Sequence, residues 1–162
     1  MTYLIDLTDE RFKISANADV INYIRRASPF AHSDLGQKLI DLNGELSLSS
    51  VYCPSFESCA YVILHDARNV IFAFAADMRD LSLRLPSSLY DEALMLGHGS
   101  ASRVGGDWLD IAAFPRQGER AAGEAALAQY LIAAQRYTAA LDPGAPLASF
   151  KSARRGPGAQ PA

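Results

Sequence analysis

Residues 69–86 read NVIFAFAADMRDLSLRLP, and this stretch decides the fold class. Its first half is apolar on both alternating faces, which is typical of a central strand covered on two sides. One face carries Ile71, Ala73 and Ala75, and the other carries Phe72, Phe74 and Ala76. Its second half alternates cleanly, with leucines at 81, 83 and 85, and ends at Pro86, which cannot donate to a strand ladder. The stretch therefore predicts two strands of a β-meander.

Further runs on either side extend this pattern. Strand-like segments lie at 45–52, 60–66 and 107–114, with a hairpin connection at 66–69. Helical spacing is found at 18–27, at 34–42 before the stop Asn43-Gly44, at 87–96, and at 119–141. This order predicts an α+β fold. We expect an antiparallel sheet of about four to five strands, with N-terminal helices, one mid-chain helix and a long C-terminal helix packed mainly on one face.

The length of 162 residues is that of a single domain. We predict one α+β domain over 1–146 and a flexible basic tail rich in Pro, Gly and Ala over 147–162. The first residues lack a secretory signal pattern, and no apolar run reaches the roughly 18 residues of a membrane span. The two cysteines are too few for a disulfide scaffold. We therefore expect a cytoplasmic protein with no membrane partner.

Charge weighs against a nucleic-acid partner. The formal net charge is −3, and three of the basic residues, Lys151, Arg154 and Arg155, lie in the tail. The preceding 150 residues therefore carry −6. Nucleic-acid binding usually depends on a concentrated cationic surface.

The glycine-rich stretch GHGSASRVGGDW, residues 97–108, is interpreted as a loop between a helix and a strand. Glycine loops that bind phosphate precede a helix, whereas this one follows a helix. Gly97 would end the helix, and Gly105-Gly106 would turn the chain into the next strand. His98, Ser100 and Arg103 lie between these glycines without such a local role. Arg79, Arg84 and Arg103 could converge at one end of the sheet and bind a carboxylate or a phosphate; exposed solubilising charges are the alternative.

Cys53, Cys59 and His65 are spaced six residues apart, so an extended segment could place them on one face as metal ligands. Zinc ligands usually come in closer pairs, and a thiol nucleophile needs a positioned base. Buried thiols and a strand-end histidine are the preferred interpretation. No G-x-S-x-G motif occurs. We predict no catalytic residues, no cofactor and no metal.

In the last predicted strand Trp108 lies on one face, so its indole would face away from Leu109, Ile111 and Ala113 on the other face. Packing in the core beneath the C-terminal helix is the preferred interpretation, and a place on a binding surface is the alternative.

The run FAFAADMRDLSLRLPSSLYDEALMLG, followed by GGDWLDIAAF, resembles the YjbR-like double-wing family of small α+β proteins in its order of elements. The resemblance covers about residues 70–140. It implies the α+β fold and suggests nucleic-acid binding. The lysine-rich strand expected in that family is replaced here by DMRDLSLRL.

Three functional hypotheses follow. The first is a non-enzymatic protein that acts through an unknown protein partner or as a homo-oligomer, with a sheet face or the region of Trp108 as contact surface. The second is an anion or small-molecule binding protein or enzyme that uses the 97–108 loop with Arg84, His98, Ser100 and Arg103. The third is a nucleic-acid-binding regulator of the YjbR-like type.

Overall fold

The structure is a computed structural model that describes residues 10–27, 31–48, 50–52, 61–75, 77–115, 117–118 and 122–144. The predicted tail and both cysteines lie outside the described residues. The described chain forms one antiparallel sheet of six strands in the order β1-β2-β3-β4-β6-β5. The strands are β1 (Ser50–Tyr52), β2 (Val62–His65), β3 (Ile71–Ala75), β4 (Asp80–Arg84), β5 (Gly99–Ala101) and β6 (Trp108–Ala112). The α+β class is confirmed.

The strand count is six rather than the four to five predicted, because β5 lies inside the glycine-rich stretch 97–108. Gly, Ser and Ala have no β-branched or aromatic side chain, so the segment gives no strand signal of its own. It becomes a strand by pairing with β6, with Ser100 opposite Asp110. The flanking glycines behave as predicted. Gly97 has a φ of 74° after the helix, and Gly105 and Gly106, with φ of 89° and 58°, form the turn into β6.

Four α-helices are found among the described residues. They are α1 (Ala18–Ala27), α2 (Ser33–Leu46), α3 (Ser87–Met95) and α4 (Glu124–Ala139). Helices α2, α3 and α4 contribute to one core on one face of the sheet, which agrees with the predicted packing mainly on one face. Helix α1 covers part of the opposite face, where Val20, Ile21 and Ile24 form a second core with Phe74 and Trp108.

Two predicted helix ends are wrong. Helix α2 continues through Asn43-Gly44 to Leu46, and the next residue, Ser47, adopts the left-handed conformation with a φ of 50°. Helix α4 begins at Glu124, because Gly123 stands before the first turn in an extended conformation rather than inside the helix. Spacings of three and four predicted a buried stripe of Leu127, Leu131, Ala134, Thr138 and Leu141. The first four are buried, whereas Leu141 lies beyond the end of the helix and is only partly buried.

The predicted alternation of β3 is also wrong at its start. The pairing of β2 with β3 shifts register between Leu64 and His65, so Leu64 lies opposite Ala73 while His65 lies opposite Ile71. A bulge of this kind breaks the two-residue period of a strand. Phe72 therefore joins Ala73 and Ala75 in the core beneath α4. Ile71 joins Phe74 in the core beneath α1.

Strands β4 and β6 alternate as predicted. Leu81, Leu83 and Leu85 lie with Leu109 and Ile111 in the core beneath α2, α3 and α4. Ser82 and Arg84 therefore face the α1 side, in register with Asp110 and Trp108 respectively. Among the described residues, no helix combines the length and the apolar composition needed to cross a membrane.

Two glycines offer a test of this packing. A Cβ atom at Gly99 would lie 2.7 Å from the Asp110 carbonyl oxygen and 2.8 Å from the Leu109 Cδ2, whereas one at Gly44 would meet nothing within 4 Å. We expect Gly99→Ala to lower the free energy of unfolding by about 1–3 kcal/mol through overpacking. Gly44→Ala, in a helix, should raise it by about 0.5–1 kcal/mol. Urea unfolding measures both, and equal effects of the two substitutions would contradict the close β5–β6 contact.

Candidate functional site

A polar cluster around Arg84 lies in the interior of the protein. Its guanidinium is 1% exposed and donates from Nη2 to the Ala16 carbonyl at 2.7 Å and to Asp19 Oδ1 at 3.1 Å. Its Nε lies 3.8 Å from Asp107 Oδ1. Asp107 in turn accepts a 2.9 Å hydrogen bond from the Tyr137 hydroxyl. The cluster thus joins α1, β4, the turn before β6, and α4.

Two buried carboxyl groups share this one guanidinium, so its positive charge offsets only part of the cost of removing both carboxylates from water. Burial raises the pKa of Asp19, and the positive charge of Arg84 opposes the rise. Burial likewise raises the pKa of Asp107, against Arg84 and the Tyr137 hydrogen bond. Burial and the neighbouring Asp107 raise the pKa of the Tyr137 phenol. Because Arg84 is already engaged by carboxylates and sealed from solvent, its geometry is that of a structural cation rather than an anion-binding group.

Trp108 is completely buried, so the predicted core packing is found, but on the α1 side of the sheet rather than beneath the C-terminal helix. Its ring lies 5.3 Å from the Phe74 ring and 4.8 Å from the Arg84 Cζ, which stacks over it. The indole N–H of Trp108 also lowers the pKa of Asp19. The contact between the indole N–H and the Asp19 carboxyl group does not have the geometry of a regular hydrogen bond. Trp108 therefore encloses the cluster and offers no contact surface.

The other predicted site residues do not meet Arg84. His98 contacts Tyr130 of α4, with its Nδ1 2.7 Å from the phenol oxygen, on the side of the sheet opposite α1. Arg103, exposed in the β5–β6 turn, lies on the α1 side, where its charge lowers the pKa of Tyr23 against a larger rise caused by burial. The structure thus brings Arg84 and Trp108 together and separates them from His98.

Ser100 belongs to a row of polar residues that crosses three strands. Asp110 lies opposite Ser82 of β4 and opposite Ser100 of β5. Ser82 Oγ donates to Asp110 Oδ1 at 2.6 Å. Burial raises the pKa of Asp110; hydrogen bonds from Ser82 and Ser102 oppose this, and the charges of Asp80 and Asp77 add to it. No sequence pattern indicated this row, because its members lie 28 and 10 residues apart along the chain.

The alternative metal ligands can be placed only in part. Cys53 and Cys59 lie outside the described residues. His65 is buried at the end of β2, with Nδ1 3.0 Å from the Asp66 carbonyl oxygen and its ring edge-on to Phe12. Among the residues that the structure describes, no group of three His, Cys, Asp or Glu side chains is placed to hold a metal ion.

Strand β5 is one of the two edge strands of the sheet among the described residues, the other being β1. Ser102 N–H donates to the Trp108 carbonyl at 3.2 Å, so Ser102 and, two residues earlier, Ser100 direct their backbone groups toward β6. Gly99 and Ala101 then direct their N–H and C=O groups away from the sheet. Ser100 and Ala101 are exposed.

Exposed apolar side chains lie next to this edge. Leu94, Met95 and Leu96, at the end of α3, are 39%, 77% and 44% exposed. The chain from residue 93 to residue 102 contains no Asp, Glu, Lys or Arg. We call β5 together with Leu94, Met95 and Leu96 the β5 edge surface. Sequence reasoning missed it, because Leu96 fitted a buried helix stripe and β5 was interpreted as a loop.

Comparisons with protein-family models, with curated proteins and with solved structures give no match for this chain. The resemblance to the YjbR-like family therefore stays a prediction.

Removal of the Arg84 charge tests the structural role of the cluster. Arg84→Met leaves Asp19 and Asp107 buried without their cation, a change that typically costs about 3–5 kcal/mol of unfolding free energy. Arg103→Met, an exposed substitution of the same type, should cost no more than about 0.5 kcal/mol. Urea unfolding at pH 7 compares the two variants. An Arg84→Met protein as stable as Arg103→Met would show that the cluster does not hold the fold together.

The raised pKa of Asp110 predicts a pH dependence. The folded chain keeps this proton at pH values where the unfolded chain, with a pKa near 3.8, has lost it. The contribution to stability is therefore complete below that value and is lost as the pH rises through the folded pKa. When the pH is lowered from 7 to 4, the free energy of unfolding of the wild type should rise relative to that of Asp110→Asn. Exposed Asp34→Asn is the control, and a constant wild-type to Asp110→Asn difference would contradict the prediction.

Proposed function

We propose that this chain is a non-catalytic interaction protein that binds a protein segment at the β5 edge surface. The observation that carries the proposal is the outward direction of the Gly99 and Ala101 backbone groups beside three exposed apolar side chains in an uncharged stretch. Backbone hydrogen bonds would supply a partner strand with its register, and the apolar side chains would supply buried area.

The composition of β5 supports a binding edge. Natural sheets protect an exposed edge by keeping the edge strand very short or by placing lysine, proline, an inward-pointing charge or a bulge on it, because unpaired backbone groups recruit other strands. Strand β5 is short, with three residues, but it consists of Gly, Ser and Ala and carries none of the other four devices. Its pairing with β6 is in continuous register over all three residues. An edge of this kind is suited to the addition of another strand.

The placement of the other candidate residues also favours interaction over ligand chemistry. The hypothesis of an anion or small-molecule site needs Arg84 and His98 on one surface, but they lie on opposite faces of the sheet, and Arg84 is paired with Asp19. The hypothesis of a nucleic-acid-binding regulator needs a cationic surface, and residues 1–150 carry a net charge of −6. The cytoplasm remains the predicted place of action.

Site-specific photocrosslinking in the native host tests this proposal. A photoreactive amino acid at Met95 or at Ala101 should give a discrete protein adduct, and one at Arg25 of α1 or at Met78 should not. Met78 is a matched control because it is an apolar residue that is 61% exposed. The Met95 adduct should disappear when Ala101→Pro removes an outward-facing donor. Equal labelling at all four positions, or no adduct at Met95 and Ala101, would count against the proposal.

A further inference from the structure

We infer that the occupant of the β5 edge surface is a second copy of this chain, paired antiparallel through β5 about a two-fold axis at Ser100. The inference rests on the function proposed above and names its partner. It would join two six-stranded sheets into one continuous sheet of twelve strands.

The backbone geometry is self-complementary in this register. A two-fold axis at Ser100 places Gly99 of one copy opposite Ala101 of the other, and these are the residues whose backbone groups point outward. Each outward N–H then meets an outward C=O, which gives four hydrogen bonds between the copies. Residue Ser100 faces its own equivalent in a pair without backbone hydrogen bonds, where Cα atoms are about 4.5 Å apart.

The same axis brings the apolar side chains together. In an antiparallel pair the two-fold axis is perpendicular to the sheet, so each face of one copy continues into the same face of the other. Helix α3, which contacts β5, therefore lies on the same side in both copies. Leu94, Met95 and Leu96 of the two chains would flank the axis and shield one another from water.

The charge pattern permits a second copy at this surface. Both copies carry the same net charge of −3, so they can meet closely only where charged side chains are lacking, as in residues 93–102. The stretch is bounded by Glu92 on one side and Arg103 on the other. Antiparallel pairing places the Glu92 end of one stretch beside the Arg103 end of the other, so opposite charges lie together. Parallel pairing would place ends of the same charge together. A charged partner protein would find no complementary charge within the stretch.

Disulfide trapping of the full-length chain tests the register. The Ser100→Cys variant should form an intermolecular disulfide between its two introduced thiols under mild oxidation, because a Cα separation of about 4.5 Å lies within the range of disulfides. Ala101→Cys, equally exposed and adjacent, is the control. Its position lies opposite Gly99 of the other copy, so it should link to its own equivalent at least tenfold more slowly. Peptide mapping by mass spectrometry distinguishes the introduced bond from bonds made by the native cysteines.

Sedimentation velocity tests the association itself over a range of protein concentrations. The wild type should form dimers, and Met95→Asp should weaken dimerisation at least tenfold by burying a carboxylate at the axis. Ala101→Pro should act similarly without removing a bond to β6, since its N–H points outward. Met78→Asp should dimerise like the wild type. Circular dichroism establishes that each variant is folded, so that loss of the dimer is separated from loss of structure.

The outcomes separate the two proposals. The inference is overturned by a monomer at every concentration. It is equally overturned by a dimer that survives both Met95→Asp and Ala101→Pro and that gives no disulfide between the introduced thiols of Ser100→Cys. If the purified chain is monomeric while Met95 still crosslinks in cells to a protein of another mass, the interaction function stands and the second copy is excluded. If the crosslinks at Met95 and Ala101 are also missing, both proposals fail.

Discussion

The guanidinium of Arg84 connects α1 and the turn before β6 with α4, a helix that contributes no residue to the apolar core beneath α1. Through Asp19 and the Ala16 carbonyl it fixes the start of α1, and through Asp107 and Tyr137 it reaches the turn before β6 and the last helix. A buried cation is costly to desolvate, so the arrangement persists only because carboxylates and an aromatic face surround it. Helix α1 is thereby held on the face of the sheet opposite the other three helices.

The α1 side of the sheet is divided into an apolar and a polar part. Near β2 and β3, α1 covers an apolar core that includes Ile63 and Phe74. Toward β5 the same face becomes polar, with Ser82, Asp110 and Ser100 in one row. The apolar surface left exposed near β5 lies on the other side, at the end of α3. The β5 edge therefore has one polar and one apolar flank, which gives a partner strand a preferred orientation.

Local patterns predicted most of the elements because each element's own side chains specify it. The spacing of Val20, Ile21 and Ile24 predicted α1, and the alternation of Leu81, Leu83 and Leu85 predicted which face of β4 is buried. The failures have physical causes of a different kind. Strand β5, with three small residues, is too short to carry a pattern, and the bulge at β3 breaks the two-residue period. Gly44 is accommodated inside a helix that is held by one buried face, which includes Leu35, Leu39 and Leu42. The candidate site was less predictable, since Asp19, Asp107 and Tyr137 were not distinguishable from ordinary surface residues.

The sequence by itself determined the fold class, the order of most helices and strands, the buried faces of β4, β6 and α4, and the turn roles of Gly97, Gly105 and Gly106. Those properties follow from interactions between residues a few positions apart. Only the tertiary structure decided that Arg84 and Trp108 are enclosed together, that His98 faces the other side of the sheet, and that β5 forms an open edge. Those properties depend on pairing between distant segments, such as Arg84 with Asp19 and Gly99 with Ile111, and pairing of this kind leaves no mark in the local spacing of residues.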